Sequence, residues 1–268
     1  MQLPYIIAVQ SKWRMGKMGK LYANPPLVEA LCEFRFEANQ PWDWTIPGLV
    51  YDKIKTDFPK KRQQNILQLE LRAEQEEVEQ TVKGGVARMQ FLRADEHAMI
   101  QIGPDLLVVN NLRPYPTWQI FSEMIANALI TYRQVANPKS VRRIGLRYIN
   151  RIEIPDPQVL IEDYLLAVPQ VPNSVPQVFA TWAQRVEIPY EQTGGMLILQ
   201  SGILRKKEQV GTAFLLDLDF VTLQPASVNL DSAMTWVGQA HDEVEKTFEA
   251  CVMDKARTLF KEKQDDHK

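Results

Sequence analysis

Residues 140–155, SVRRIGLRYINRIEIP, decide how this chain folds. Their alternation predicts one strand with two unlike faces. Past Arg142, the residues Ile144, Leu146, Tyr148, Ile152 and Ile154 point one way, interrupted only by Asn150. Arg143, Arg147 and Arg151 point the other way. The first face asks for a hydrophobic core. The second asks for negative charge, either the chain's own or that of a ligand, because a guanidinium fork suits carboxylate and phosphate alike.

Working outward, punctuation residues recur at a separation of 110: Pro47 and Pro157, Pro59 and Pro169, Gly84-Gly85 and Gly194-Gly195, Thr117 and Ser227, Met124 and Met234. Such agreement among residues that start and stop elements reads as a remote internal duplication. In the first half, LVEALCEFRFEA (27–38) alternates as a strand, with Val28, Ala30, Cys32, Phe34 and Phe36 opposite Glu29, Glu33, Arg35 and Glu37. A short helix follows between Pro47 and Pro59, and its counterpart is expected between Pro157 and Pro169. Antiparallel strands turning at KGG (83–85) and TGG (193–195) come next, since Gly-Gly between alternating runs signals a hairpin. Each half closes with a helix, over 118–135 and 228–263, with Thr117 and Ser227 as N-caps. The expected fold class is α+β: two pseudo-repeated halves, each strand, helix, antiparallel strands, helix, forming a curved antiparallel sheet packed by helices on one face. The expected divisions are a basic tail (1–20), a first half (21–137) and a second half with a long C-terminal helix (138–268).

At the 110 offset, Lys139, Arg143 and Arg147 are the counterparts of Glu29, Glu33 and Glu37. If a pseudo-twofold sets the two opening strands side by side, a basic row meets an acidic one. The expectation is that Arg143 and Arg147 face acids of the same chain, Glu33 or Glu37 first and Asp217 or Asp219 next. The alternative leaves Arg143, Arg147, Asn150 and Arg151 open as an anion or nucleic-acid site. Net charge of -2 and a pI near 6.0 argue against a nucleic-acid partner.

Asp217 and Asp219 share one strand face and form a possible Mg²⁺ or Ca²⁺ pair, set against simple pairing with arginines. His241, on the apolar stripe of the last helix, reads as a hydrogen-bonded core residue, and zinc is disfavoured because the three histidines are scattered. Cys32 and Cys251 read as free buried thiols in a reducing cytoplasm. No nucleotide, metalloprotease or nucleophile motif is present, so no cofactor is expected and a catalytic role is the lesser reading. No apolar run reaches membrane-spanning length. In the tail, Lys12, Trp13 and Arg14 set an aromatic amid positive charge, a candidate arm for a protein partner.

YANPPLVEALCEFRF (22–36) and RIGLRYINRI (143–152), with LLDLDF (215–220) and AHDEVEKTFEACVMDKAR (240–257), resemble a sporadically distributed bacterial protein family. That family is marked by the Tyr-x-Asn-Pro-Pro-Leu-Val-Glu-Ala start and the Arg-Ile-Gly-Leu-Arg-Tyr-Ile-Asn-Arg strand. Its members often occur beside mobile-element, toxin–antitoxin or defence genes, and the same logic admits an accessory subunit linked to a type III CRISPR effector. The resemblance implies an accessory or immunity role exerted on a protein encoded nearby, rather than a particular reaction.

Overall fold

The structure is a computed structural model that describes residues 22–74, 77–155, 159–204, 211–226 and 228–262, with the backbone alone for 66–87. The chain runs β1 (Leu27–Glu37), α1 (Ile46–Ile54), β2 (Lys60–Glu74), β3 (Glu77–Leu92), β4 (Ala98–Gly103), β5 (Leu106–Leu112) and α2 (Trp118–Ala136). It continues through β6 (Ser140–Ile154), β7 (Ala183–Tyr190), β8 (Gly195–Leu204), β9 (Thr212–Thr222), α3 (Ala233–Cys251) and α4 (Asp254–Phe260). The nine strands form one open antiparallel sheet in the order β2-β3-β4-β5-β1-β6-β9-β8-β7. The fold class is α+β, and the sheet continues unbroken across the junction at Asn137-Pro138. There Asn137, left-handed at φ 43°, caps α2.

The decisive stretch is the central strand β6. Its apolar face is buried, from Ile144 through Leu146 and Tyr148 to Ile152 and Ile154. Ala30, Cys32, Phe34 and Phe36 of β1 lie on the same side. Phe121, Ile125 and Leu129 of α2 and Val237, Ala240 and Val244 of α3 close over them in one core. Phe36 stacks on Tyr132 at 4.6 Å between ring centroids, and Phe220 lies against Trp236 at 5.8 Å. All of these contacts fall on one side of the sheet, and among the described residues no helix covers its other face. Thr117 caps α2 as expected, its hydroxyl accepting from Ile120 N–H.

Each half sets its first strand at the centre and its last strand next to it. β1 is followed outward by β5, β4, β3 and β2; β6 is followed by β9, β8 and β7. In the β1–β6 ladder, Phe34 faces Ile144, and these two stand 110 apart in sequence. The halves nonetheless differ in detail. The first half has five strands, and the described residues of the second half form four.

The Gly-Gly pairs, expected at matching hairpin turns, occupy unlike places. Gly194 takes φ +61° in the turn before β8. Gly84 and Gly85 instead lie inside β3, opposite Leu67 and Ile66, and the hairpin reverses between Glu74 and Glu77. A glycine pair permits a turn without requiring one, and strand register moved this turn outward.

Three other expectations are corrected. The helix foreseen between Pro157 and Pro169 is one 3₁₀ turn, Ile161–Asp163, with residues 156–158 outside the described set. The long last helix breaks at Val252, which is extended (φ -99°, ψ 142°) and bridges Leu165. Backbone bonds from Met253 N–H to Tyr164 O and from Leu166 N–H to Cys251 O replace the helical ones lost there. Ser227 also lies outside the described residues, and α3 follows a 3₁₀ turn capped by Asn229 instead.

Candidate functional site

The helix-free face carries the arginines. Arg143 Nη1 donates to Glu33 Oε1 at 2.9 Å, and its Nη2 stands 4.0 Å from Asp219 Oδ2. Arg147 forms a two-pronged pair with Asp217, with Nε donating to Oδ1 at 2.8 Å and Nη2 to Oδ2. Gln200 Nε2 adds a bond to the same carboxylate at 3.4 Å. Lys139 Nζ reaches Glu37 Oε1 at 2.8 Å. Arg151 Nε donates to Glu153 Oε1 at 2.7 Å. Both arginines of the expected pair therefore meet acids of their own chain, with β1 and β9 supplying one partner each.

This pairing extends into a belt across the first half. Gln90 Nε2 donates to Gln64 and Gln101, Gln101 Nε2 to Asn110 Oδ1 at 2.7 Å, and Asn110 Nδ2 to Glu29 Oε1 at 2.6 Å. Gln101 and Asn110 are buried, so these bonds offset the desolvation of their amides. No sequence pattern marks this belt, because its members come from five strands and alternate with apolar residues.

Asp219 stands apart within the cluster. Burial pushes its carboxyl up to about 6, against the pull of Arg143 and Arg147. Asp217 is the more buried carboxylate, 3% exposed, and Arg147 takes up its charge. Among the described residues, no group of three or more His, Cys, Asp or Glu is placed to hold a metal ion. Asn150 lies on the core face, where the strand's alternation puts it and away from the arginines grouped with it as a candidate site, donating to Leu216 O at 3.1 Å and holding β6 to β9. Lys12, Trp13 and Arg14 lie outside the described residues.

A second polar chain crosses the core. Tyr148 OH lies 3.0 Å from both Tyr115 OH and His241 Nδ1, and Trp118 stacks on the imidazole at 3.9 Å. Burial lowers His241 to about 4, so the ring is neutral at pH 7. It is a hydrogen-bonded core histidine. Tyr115 also lines a cleft of about 560 Å³ with residues 22–26, Arg113 and Arg151. Tyr22 OH donates to Glu249 Oε1 at 2.8 Å, and Ala23 and Asn24 N–H bond to Lys261 and Phe260 carbonyls. The YANPP stretch thus docks against the end of the AHDEVEKTFEACVMDKAR stretch.

The third feature is apolar. Val159, Leu160, Ile161, Val178, Phe179, Trp182, Ile203 and Phe214 line a cleft of about 650 Å³ on the second half. Leu160 is 73% exposed and Val178 86%. The Trp182 indole N–H is buried without a hydrogen-bond partner. Leu160 falls in the segment between Pro157 and Pro169 where a helix is expected; with only one 3₁₀ turn described there, its side chain stands at the surface.

No family model matches the chain, and no curated protein matches it in sequence. Among the described residues, no helix is long and apolar enough to cross a membrane.

Proposed function

We propose that this chain is a non-catalytic binding protein that engages another protein, serving as an accessory or immunity factor of a bacterial mobile-element, toxin–antitoxin or CRISPR-linked defence locus and working in the cytoplasm. The observation that carries the reading is the apolar cleft around Leu160 and Val178. Solvent-facing aliphatic side chains gathered on one cleft mark protein contact surfaces. The arginine strand supports the same reading by subtraction. Arg143 and Arg147 are committed to Glu33 and Asp217, which lessens their call on a phosphate backbone. The tail with Lys12, Trp13 and Arg14 is assigned as an additional arm for the partner.

We further assign the two halves to an ancient duplication. The Phe34–Ile144 register supports it, since residues related by a twofold at a fixed offset must face each other at the axis. The difference in described strands and the unmatched Gly-Gly pairs are then later divergence.

The test is co-purification with the products of neighbouring genes, using the full chain, a chain beginning at Lys20, and a Leu160→Asp/Val178→Asp variant. A specific partner retained by the full chain and lost by the cleft variant is expected. Equal capture by the variant overturns the cleft assignment. Absence of any neighbour capture by a monodisperse full chain overturns the function itself. A tight, steeply salt-dependent gel shift with DNA or RNA replaces it with the anion-site reading.

A further inference from the structure

We propose that the chain pairs with a second copy of itself through β7, antiparallel, about a twofold axis at Val186. β7 is the last strand of the sheet, and most of its residues are exposed. One face carries Val186 and Ile188, 44% and 37% exposed, and the other carries Arg185 and Glu187. An edge of this kind presents a row of unpaired backbone groups, a template for another strand.

The register follows from which groups are free. Trp182 O accepts from Ile203 N–H, its partner along the β7–β8 register. Residues that bond to β8 alternate with those that do not, so the even-numbered residues of β7 face β8. Ala183, Arg185, Glu187 and Pro189 face outward. Proline on the outward side costs β8 no bond, the position an edge-strand proline takes.

A second β7 must set outward residues opposite outward residues. An axis at Arg185 or Glu187 places like charges face to face, which is destabilising. An axis at Ile188 sets Glu187 against Pro189, which has no N–H to give. An axis at Gln184 pairs Arg185 with Ala183 and carries Glu187 off the end of the other strand. At Val186 each Arg185 faces Glu187 of the other copy and exchanges both N–H···O bonds with it. Ala183 N–H meets Pro189 C=O at the flanks. The two in-strand Arg185–Glu187 pairs, now 2.7 Å contacts within one chain, merge into a four-charge array on one face. Val186 packs on its own counterpart on the other. Such an isologous contact closes on itself and consumes the edge.

The experiment is sedimentation velocity with light scattering on the full chain at about 1–100 µM, with circular dichroism to verify folding. The unmodified protein is expected to dimerise. Arg185→Glu and Glu187→Arg alone are each expected to weaken the dimer by at least about tenfold, and the double reversal to recover it. Arg185→Pro, which removes an outward N–H and leaves the β8 ladder intact, is expected to give a folded monomer. A monomer across the whole range overturns the proposal, since Arg185, Glu187 and Pro189 then only blunt the edge. So does a double reversal that fails to recover, or growth beyond two copies, which points to β7 meeting β2. The result is independent of the neighbour-protein test, which uses Leu160 and Val178.

Discussion

Arg147–Asp217 and Arg185–Glu187 are the same chemical pair on the same face of one sheet. The first lies between the central strand and β9, with its carboxylate 3% exposed; the second lies within the outermost strand, with its carboxylate 51% exposed. At the centre, neighbouring strands on both sides shield the Asp217 carboxylate from water, so its charge depends on Arg147. At the edge, solvent hydrates both charges and leaves the backbone beside them unpaired. The centre therefore uses its charges to hold two strands in register, whereas the edge keeps its own available for another chain.

The largest effect should come from breaking the central pair. Arg147→Ala leaves Asp217 buried without its cation and is expected to cost about 3 kcal/mol in urea unfolding, less than a wholly buried pair because the guanidinium is itself a third exposed. A loss no greater than that of Arg185→Ala would erase the distinction between centre and edge.

Asp219 sharpens the contrast through pH. Its folded-state value near 6 exceeds the usual 3.8, so the native state holds the proton more tightly and the carboxyl costs stability as pH rises from about 4 to 6. Asp219→Asn should therefore stabilise the protein above pH 6, by up to about 3 kcal/mol. His241 acts with the opposite sign: held near 4 rather than 6.5, it costs stability as pH falls through that same window. Urea titrations from pH 4 to 7.5 should be flatter for the unmodified protein than for Asp219→Asn, whose stability should climb with pH.

Tyr148→Phe removes the hydroxyl between Tyr115 and His241 and is expected to cost about 1–2 kcal/mol. Thermal unfolding measures that loss, and the folded variant should keep any partner binding, because these hydrogen bonds lie under α2 and α3 rather than on the cleft. Smallest is the edge. Arg185→Ala should change stability by under about 1 kcal/mol while altering self-association. Leu160→Ser should leave unfolding unchanged within about 0.5 kcal/mol, being mostly exposed already.

Much of the centre was legible in the residues. The period-two patterns of 27–37 and 140–154 name their buried faces directly, because successive side chains of a strand must alternate. The 110 offset pointed to Glu33 as partner for Arg143, and the two meet at 2.9 Å. The periphery read less well. Gly84-Gly85 resembled a turn, the segment between Pro157 and Pro169 resembled a helix, and residues 228–263 resembled one continuous helix, yet register or a long-range bridge overrode these local preferences. The amide belt from Gln64 to Glu29 left no signal at all, since hydrogen bonds between strands far apart in sequence have no spacing to recognise.

By itself, then, the order of residues determined which segments are strands and helices at the core and which way their side chains face, because these depend on neighbours along the chain. Only the tertiary structure decided that Asp217, rather than Glu37, takes Arg147, that Asn150 holds two strands together under the helices, and that, among the described residues, β7 ends the sheet. Those outcomes depend on strand order and register across the whole sheet, where a shift of one residue exchanges every partner and every face.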